Sequence, residues 1–260
     1  MQFVHEKEGS LMQRYFIHPT QIQNDSIVLE AGDAHHIKNV MRQKIGDRLL
    51  CVLAPNQVFE TEILALTDKT VETKIISERT ENHELPVNIT IAQGLPKGEK
   101  LEWVLQKGTE LGMHRYIPLQ MERSIVKIDQ NKIEKRMLRW QKIIKEAAEQ
   151  SQRNIIPEIS SVQTIGTLII DSVQYTHKLI AYEESAKKNE YTKNIRNILC
   201  NIPAGAHILM VFGPEGGISI SEIEMCMQAG FIPCALGPRI LRTETAPLYF
   251  LSAVSYALEL

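Results

Sequence analysis

The chain has 260 residues, with 29 Lys plus Arg against 31 Asp plus Glu and a formal net charge of −2. That length suits one large or two medium domains, and the charge balance excludes a globally basic nucleic-acid binder, so any basic footprint must be local. Its four cysteines, Cys51, Cys200, Cys226 and Cys234, show neither a C-x-x-C pair nor zinc-finger spacing, which argues against a disulfide scaffold or a structural metal and for a reducing cytoplasm. No apolar run approaches the roughly 20 residues that span a bilayer, so no membrane partner is expected.

Residues 1–11 are polar and patternless, whereas Met12-Gln13-Arg14-Tyr15-Phe16-Ile17 looks like a natural beginning. The extension therefore reads as disordered or as an alternative start. Between residues 12 and 84, short β-rich runs recur at Arg14 to Ile17, Ser26 to Glu30, Arg48 to Ala54, Val58 to Leu66 and Val71 to Ser77. Turn signals at Ile45-Gly46-Asp47 and Pro55-Asn56-Gln57 separate them, and the pattern predicts a small β-barrel. One helix interrupts it, with Asp33 as N-cap and His36, Ile37, Val40 and Met41 at helical spacing. Glu78 to Pro86 is charged, ends in proline and reads as a linker.

A second domain, residues 85–260, alternates strands with helices and is expected to be α/β with a mostly parallel sheet. Val87 to Ala92 reads as its first strand; Leu101, Val104, Leu105, Gly108 and Leu111 then form one helical stripe ending at Gly112. Tyr116 to Leu119 is a second strand. A helix from about Asn131 to Ser151 follows, roughly 30 Å long at 1.5 Å per residue. Lys178 to Tyr182 and His207 to Phe212 are further strands, and Ser219-x-x-Glu222 is a capping box opening another helix. The last helix begins near Ala246 with Pro247 in its first turn, and its Leu248 to Leu258 sequence is apolar nearly all round. Such a helix must be buried on several sides, and self-association through it is expected.

Two glycine-marked loops follow apolar runs that lack polar alternation, as strands buried on both faces do. They are Val211-Phe212-Gly213-Pro214-Glu215-Gly216-Gly217 and Leu236-Gly237-Pro238-Arg239-Ile240-Leu241-Arg242-Thr243-Glu244-Thr245-Ala246. Both sit at strand carboxyl ends, where open α/β sheets bind ligands and glycine lets backbone groups approach one closely, although ordinary turns after strands look alike. No Rossmann, P-loop, His-Glu-x-x-His or Gly-x-Ser-x-Gly pattern is present.

Together these loops resemble the signature of the 16S ribosomal RNA (uridine-N3) methyltransferase family within the SPOUT, or α/β-knot, superfamily. The resemblance extends to Leu95-Pro96-Lys97-Gly98, to Trp103 through Gly112, to Glu146-Ala147-Ala148-Glu149-Gln150-Ser151, to Arg14-Tyr15-Phe16 and to His36-Ile37-x-x-Val40-Met41-Arg42. It implies a PUA-like β-barrel at residues 12–84 and a trefoil-knotted methyltransferase domain at 85–260. It also implies S-adenosyl-L-methionine as cofactor, 16S rRNA in the small ribosomal subunit as partner, and a homodimer. Around the cofactor it puts Tyr182, Glu183, Phe212, Gly213, Pro214, Glu215, Gly216, Gly217, Leu236, Gly237, Ile240, Leu241 and Thr245.

Methylating uridine N3 means removing a proton from the Watson–Crick face, so the base must be unpaired or opened. Arg242 and Glu244 are the polar residues placed to act on it, as electrostatic stabiliser and proton acceptor; an Arg242–Glu244 ion pair bracing the loop is the plain alternative. Between Lys132 and Arg153 seven basic residues face three acidic ones, a net of +4. Arg136, Arg139 and Arg153, extended by Arg123 and Lys127, are candidate RNA contacts, and so are Arg14, His35 and Arg42 in the first domain; a solvated helix face is the competing reading. A methyltransferase acting on transfer RNA, a non-catalytic RNA-binding assembly factor, and a nucleotide-binding enzyme using Gly213 to Gly217 as an anion nest remain alternatives.

Overall fold

A computed structural model describes residues 12–55, 57–126, 130–182 and 192–260. The chain forms two compact units. One runs to His83 and takes in Gln152–Ile155; the other holds Glu84–Ser151 and Ile156–Leu260. A single cut after residue 84 therefore misses the short return at 152–155. The expected extension, residues 1–11, lies outside the described residues.

The first unit comprises β1 (Arg14–Phe16), β2 (Ile22–Gln23), β3 (Ser26–Glu30), α1 (Ala31–His35), β4 (Arg48–Leu53), β5 (Gln57–Leu66) and β6 (Thr70–Arg79). Six strands form one sheet in the order β1-β4-β5-β6-β3-β2, all antiparallel except β1 with β4. Alternation puts Ile27 and Leu29 of β3 inside, with Tyr15, Ile37, Leu49, Cys51, Ile63 and Val71. Register shifts at Glu60/Thr61 and Ile63/Ala65 interrupt the long β5–β6 ladder, and bulges of this kind bend a strand. The helix starts two residues before the expected Asp33 cap, at Ala31, and continues as one π-helical turn over His36–Val40. The expected linker is partly strand, because β6 reaches Arg79, which pairs with the buried Glu60.

The second unit contains β7 (Asn88–Gly94), α2 (Lys100–Glu110), β8 (Arg115–Leu119), α3 (Gln130–Gln150), β9 (Glu158–Ile159), α4 (Ile165–Asp171), β10 (His177–Ala181), α5 (Thr192–Asn201), β11 (His207–Phe212), α6 (Ile220–Gln228), β12 (Ile232–Cys234) and α7 (Thr245–Glu259). Its sheet runs β12-β10-β11-β7-β8-β9 with every pairing parallel. Ile208, Met210 and Phe212 of β11 pack into one core with α2, α3 and α7, while Leu209 and Val211 face the other with α4 and α6. Helices thus cover both faces, which is why β11 has no polar residue after His207. Ser219 caps α6 through the Glu222 amide, and the Glu222 carboxylate accepts from the Ser219 amide at 3.1 Å, completing the expected capping box.

Helices α4 and α5 and strand β9 go beyond the elements expected from the sequence. In α7 only Pro247, Phe250, Leu251 and Val254 are buried. Tyr249 (43%) and Tyr256 (73%) are exposed on the opposite side, so within one chain the helix is covered on one side rather than on several.

Candidate active site

Strand β7 is the topological pivot, because the chain leaves it outward through β8 and β9 and then returns to build β10, β11 and β12 on its other side. The crevice at the carboxyl ends of β7 and β11 is where an open α/β sheet presents a ligand site. Gly94 ends β7, and a Cβ there would stand 2.6 Å from Pro214 N and 2.8 Å from Met121 Sδ. Only glycine lets the loop beyond β11 lie against β7. That loop is folded tightly: the Gly217 amide donates to Pro214 O at 2.9 Å, and a Cβ on Gly213 would meet Ile218 Cγ1 at 2.8 Å. Gly217 has φ +72° and open space where its Cβ would be.

The loop beyond β12 lies alongside. The Tyr182 amide donates to Cys234 O at 3.0 Å, joining the ends of β10 and β12, and Gly237 turns the chain with φ +106°. Leu236 and Leu241 are half-buried, whereas Ile240 is 80% exposed. Farther along, Thr243 Oγ1 donates to Gly213 O at 2.9 Å, which fastens this loop to the one beyond β11.

Charged groups follow the same frame. Lys100, at the start of α2, reaches Glu215 Oε1 at 3.0 Å and Glu244 Oε2 at 3.2 Å, so one ammonium links both loops. The Glu215 hydrogen bond and then that of Glu244 raise the Lys100 pKa. Burial works to raise the Glu215 pKa, but the Lys97 amide and the Lys100 ammonium outweigh it and hold the carboxyl below the ordinary range. Arg242 is exposed and makes no ion pair among the described residues. The alternative Arg242–Glu244 brace is therefore absent here: Glu244 turns to Lys100 and the guanidinium stays available.

The candidate RNA contacts separate sharply. Arg14 is 2% exposed; its Nη1 donates to Gln152 O (2.7 Å) and Asn154 Oδ1 (3.0 Å), and its Nη2 pairs with Glu81 at 2.8 Å. Arg153, in the same unit, is also 2% exposed. Neither guanidinium is presented to a phosphate, so both expectations are corrected: these are buried structural cations. His35 and Arg42 are exposed, Arg42 with φ +54°, while the neighbouring Lys38 pairs with Asp68 at 2.6 Å. Arg123 is exposed and its Nη1 lies 3.4 Å from Gly216 O, beside the loop beyond β11.

On α3, Arg139 pairs with Glu102 at 2.6 Å, Lys142 with Glu146 at 3.6 Å and Lys145 with Glu149 at 3.4 Å. Arg136 is exposed and makes no ion pair among the described residues. Glu183 and Lys127 lie outside the described residues, among which no group of three or more His, Cys, Asp or Glu could hold a metal ion.

The RNA methyltransferase domain family matches residues 83–255, and the RNA methyltransferase PUA domain family matches 29–76. Ribosomal RNA small subunit methyltransferase E of Bacillus subtilis is 45% identical over 96% of this chain and 98% of its own length. The chain belongs to the ribosomal RNA small subunit methyltransferase E family. The Synechocystis enzyme of that name is 33% identical over 98% of this chain and 82% of its own length. A crystal structure of the Neisseria gonorrhoeae enzyme bound to S-adenosyl methionine is 31% identical and superposes with a TM-score of 0.83, covering 95% of this chain and 98% of the other. Family membership gives the first unit its PUA assignment and the second its methyltransferase assignment.

Within this family frame, the chain brings Tyr182, Phe212, Gly213 to Gly217, Leu236, Gly237, Ile240, Leu241, Arg242, Glu244 and Thr245 to the carboxyl ends of three adjacent strands and the start of α7. Gln93, Lys100 and Thr243, which tie these loops together, were not among the expected site residues. Gln93 carries a signal as an amide near the end of the largely apolar run from Val87 to Leu95, where it is fully buried, whereas Asn88, the other amide of that run, is half-buried at the start of the strand.

Proposed function

We propose that this chain transfers a methyl group from S-adenosyl-L-methionine to N3 of a uridine in 16S rRNA of the small ribosomal subunit, in the cytoplasm and as a homodimer. The observation that carries the reading is the apposition, at the β7–β11 crevice, of the glycine loop after β11 with a loop that presents Arg242 without an ion pair among the described residues. The residues fit the cofactor: Gly217 and Gly237 leave backbone accessible, and Leu236, Ile240 and Leu241 supply apolar surface for an adenine. When bound, the cofactor supplies a methyl group on cationic sulfur, which becomes a neutral thioether as N3 takes the methyl.

We assign to Arg242 the stabilisation of negative charge on the uracil ring as its N3 proton leaves. Glu244 accepts that proton, directly or through water, and Lys100 fixes its carboxylate in place. The trefoil knot belongs to this reading. The segment after β12 starts at the sheet edge, yet Thr243 is bonded to Gln93 and Gly213 at its centre, so the chain crosses the end of β10. A second copy would cover Tyr249 and Tyr256, which are 43% and 73% exposed.

On the RNA side, the candidate contacts that stay exposed are Arg123 and Arg136 in the second unit and His35 and Arg42 in the PUA unit, and these are the side chains we assign to phosphate. Label transfer from tritiated cofactor to small subunits, 16S rRNA and transfer RNA tests the substrate class: transfer to the first two and not the third is expected, and preferential labelling of transfer RNA would overturn it. In the same assay Arg136→Glu should weaken RNA binding and lower its salt slope by about 1 per lost phosphate contact. An unchanged slope would remove α3 from the footprint.

A further inference from the structure

A chain of hydrogen bonds, buried at Tyr116 and part-buried beyond Gln93, runs from the middle of the sheet to the loop that carries Arg242. Gln93, on β7 and 0% exposed, stands at its centre. Its Nε2 donates to Thr243 O at 2.7 Å and approaches Thr243 Oγ1 at 3.0 Å, and its Oε1 accepts from the Tyr116 hydroxyl at 2.9 Å. Thr243 Oγ1 in turn donates to Gly213 O at 2.9 Å. Every donor direction is fixed. A carbonyl oxygen can only accept, so the amino end of Gln93 must face Thr243, which leaves the amide oxygen for Tyr116. Burial raises the Tyr116 pKa far above neutrality, so its hydroxyl remains a donor.

Thr243 lies between Arg242 and Glu244 in sequence, and Gly213 opens the loop expected to hold the cofactor. One amide therefore sets the height of the Arg242–Glu244 backbone over the sheet, while the Thr243 hydroxyl couples it to the cofactor loop. We propose that Gln93 is a positioning residue for methyl transfer, holding the Arg242 loop in its reactive place through Thr243, with Tyr116 orienting the amide. This inference rests on the methyltransferase reading and deepens it: Gln93 touches neither substrate nor cofactor and acts through the peptide between two proposed catalytic groups. Desolvation makes the arrangement stiff, because an unmet buried amide or carbonyl carries a penalty that no solvent-exposed loop contact would impose.

The test compares Gln93→Leu, Gln93→Glu and Tyr116→Phe with the parent full-length protein, measuring kcat with saturating RNA and cofactor, cofactor Kd by calorimetry and Tm. Gln93→Leu keeps the Thr243–Gly213 bond but frees the Arg242 side of the loop. Its kcat should fall by about 10²-fold, the effect expected of misplacement on the order of 1 Å, with cofactor Kd within about 3-fold. Tyr116→Phe should cause a smaller fall of the same kind and add nothing when combined with Gln93→Leu.

Gln93→Glu gives a readout that plain packing would not. The neutral acid can donate to Thr243 O and the carboxylate cannot, so activity should be present at low pH and lost as pH rises through the pKa of the new carboxyl. Parent-like kcat in a folded Gln93→Leu protein, equal losses in kcat and cofactor affinity, or a Gln93→Glu pH profile identical to the parent's would each overturn the inference. Should Gln93→Leu fail to fold, the Tyr116→Phe kcat and the Gln93→Glu profile decide it. Absence of methyl transfer by the parent would instead count against the underlying function.

Discussion

Replacing Arg242 with alanine should lower the rate of methyl transfer by about 10²- to 10³-fold while leaving cofactor affinity within about 3-fold, the pattern of a group that stabilises charge only as the reaction proceeds. The guanidinium is exposed, forms no ion pair among the described residues and therefore braces nothing that its loss would release. Its backbone does the structural work: Arg242 O accepts from the Thr245 and Ala246 amides at 2.9 and 3.0 Å, opening α7, and alanine preserves both bonds. Single-turnover transfer and calorimetry separate the two effects. Parallel loss of cofactor binding and rate would return Arg242 to a structural role.

Gly94→Ala should damage both stability and cofactor binding, because the added methyl meets the Pro214 backbone nitrogen at 2.6 Å and Met121 Sδ at 2.8 Å. Met121 could swing away, but Pro214 belongs to a loop tied down by the Pro214–Gly217 turn and the Thr243–Gly213 bond. Overpacking of this kind costs about 1–3 kcal/mol. In a chain of this size each kcal/mol is worth about 2–4 °C of Tm, so the expected fall is on the order of 2–12 °C. Displacement of the loop should weaken cofactor binding by at least about 10-fold, since 1.4 kcal/mol is about a factor of 10 in affinity. Gly32→Ala is the control: nothing lies within 4 Å of its Cβ position in α1, so its Tm should hold or rise slightly. Equal Tm and Kd for Gly94→Ala and the parent would mean that the β11 loop is free to move.

How far the sequence carried this picture follows from what each residue type reveals. The loops at Gly213 and Gly237 were legible because glycine and proline mark backbone geometry directly, and the both-faced burial of β11 because no polar residue interrupts its apolar run. The role of Arg14 is hidden for the opposite reason. A sequence displays charge, whereas burial depends on partners far along the chain, here Gln152, Asn154 and Glu81. The basic surplus of α3 likewise says nothing of its partners, and Glu102 on another helix neutralises Arg139. Gln93 and Thr243 were illegible as a pair because 150 positions separate them and only the return of the chain to the sheet centre joins them. The return of Gln152–Ile155 to the first unit is not legible in the sequence because no composition change marks it.

The most direct measurement of the central claim incubates the full-length protein with tritiated S-adenosyl-L-methionine and small ribosomal subunits lacking uridine-N3 methylation, then identifies the labelled nucleoside after complete digestion. Label in 3-methyluridine, absent when Arg242→Ala replaces the parent, is the predicted result. Label in any other nucleoside, or none despite cofactor binding, would contradict it.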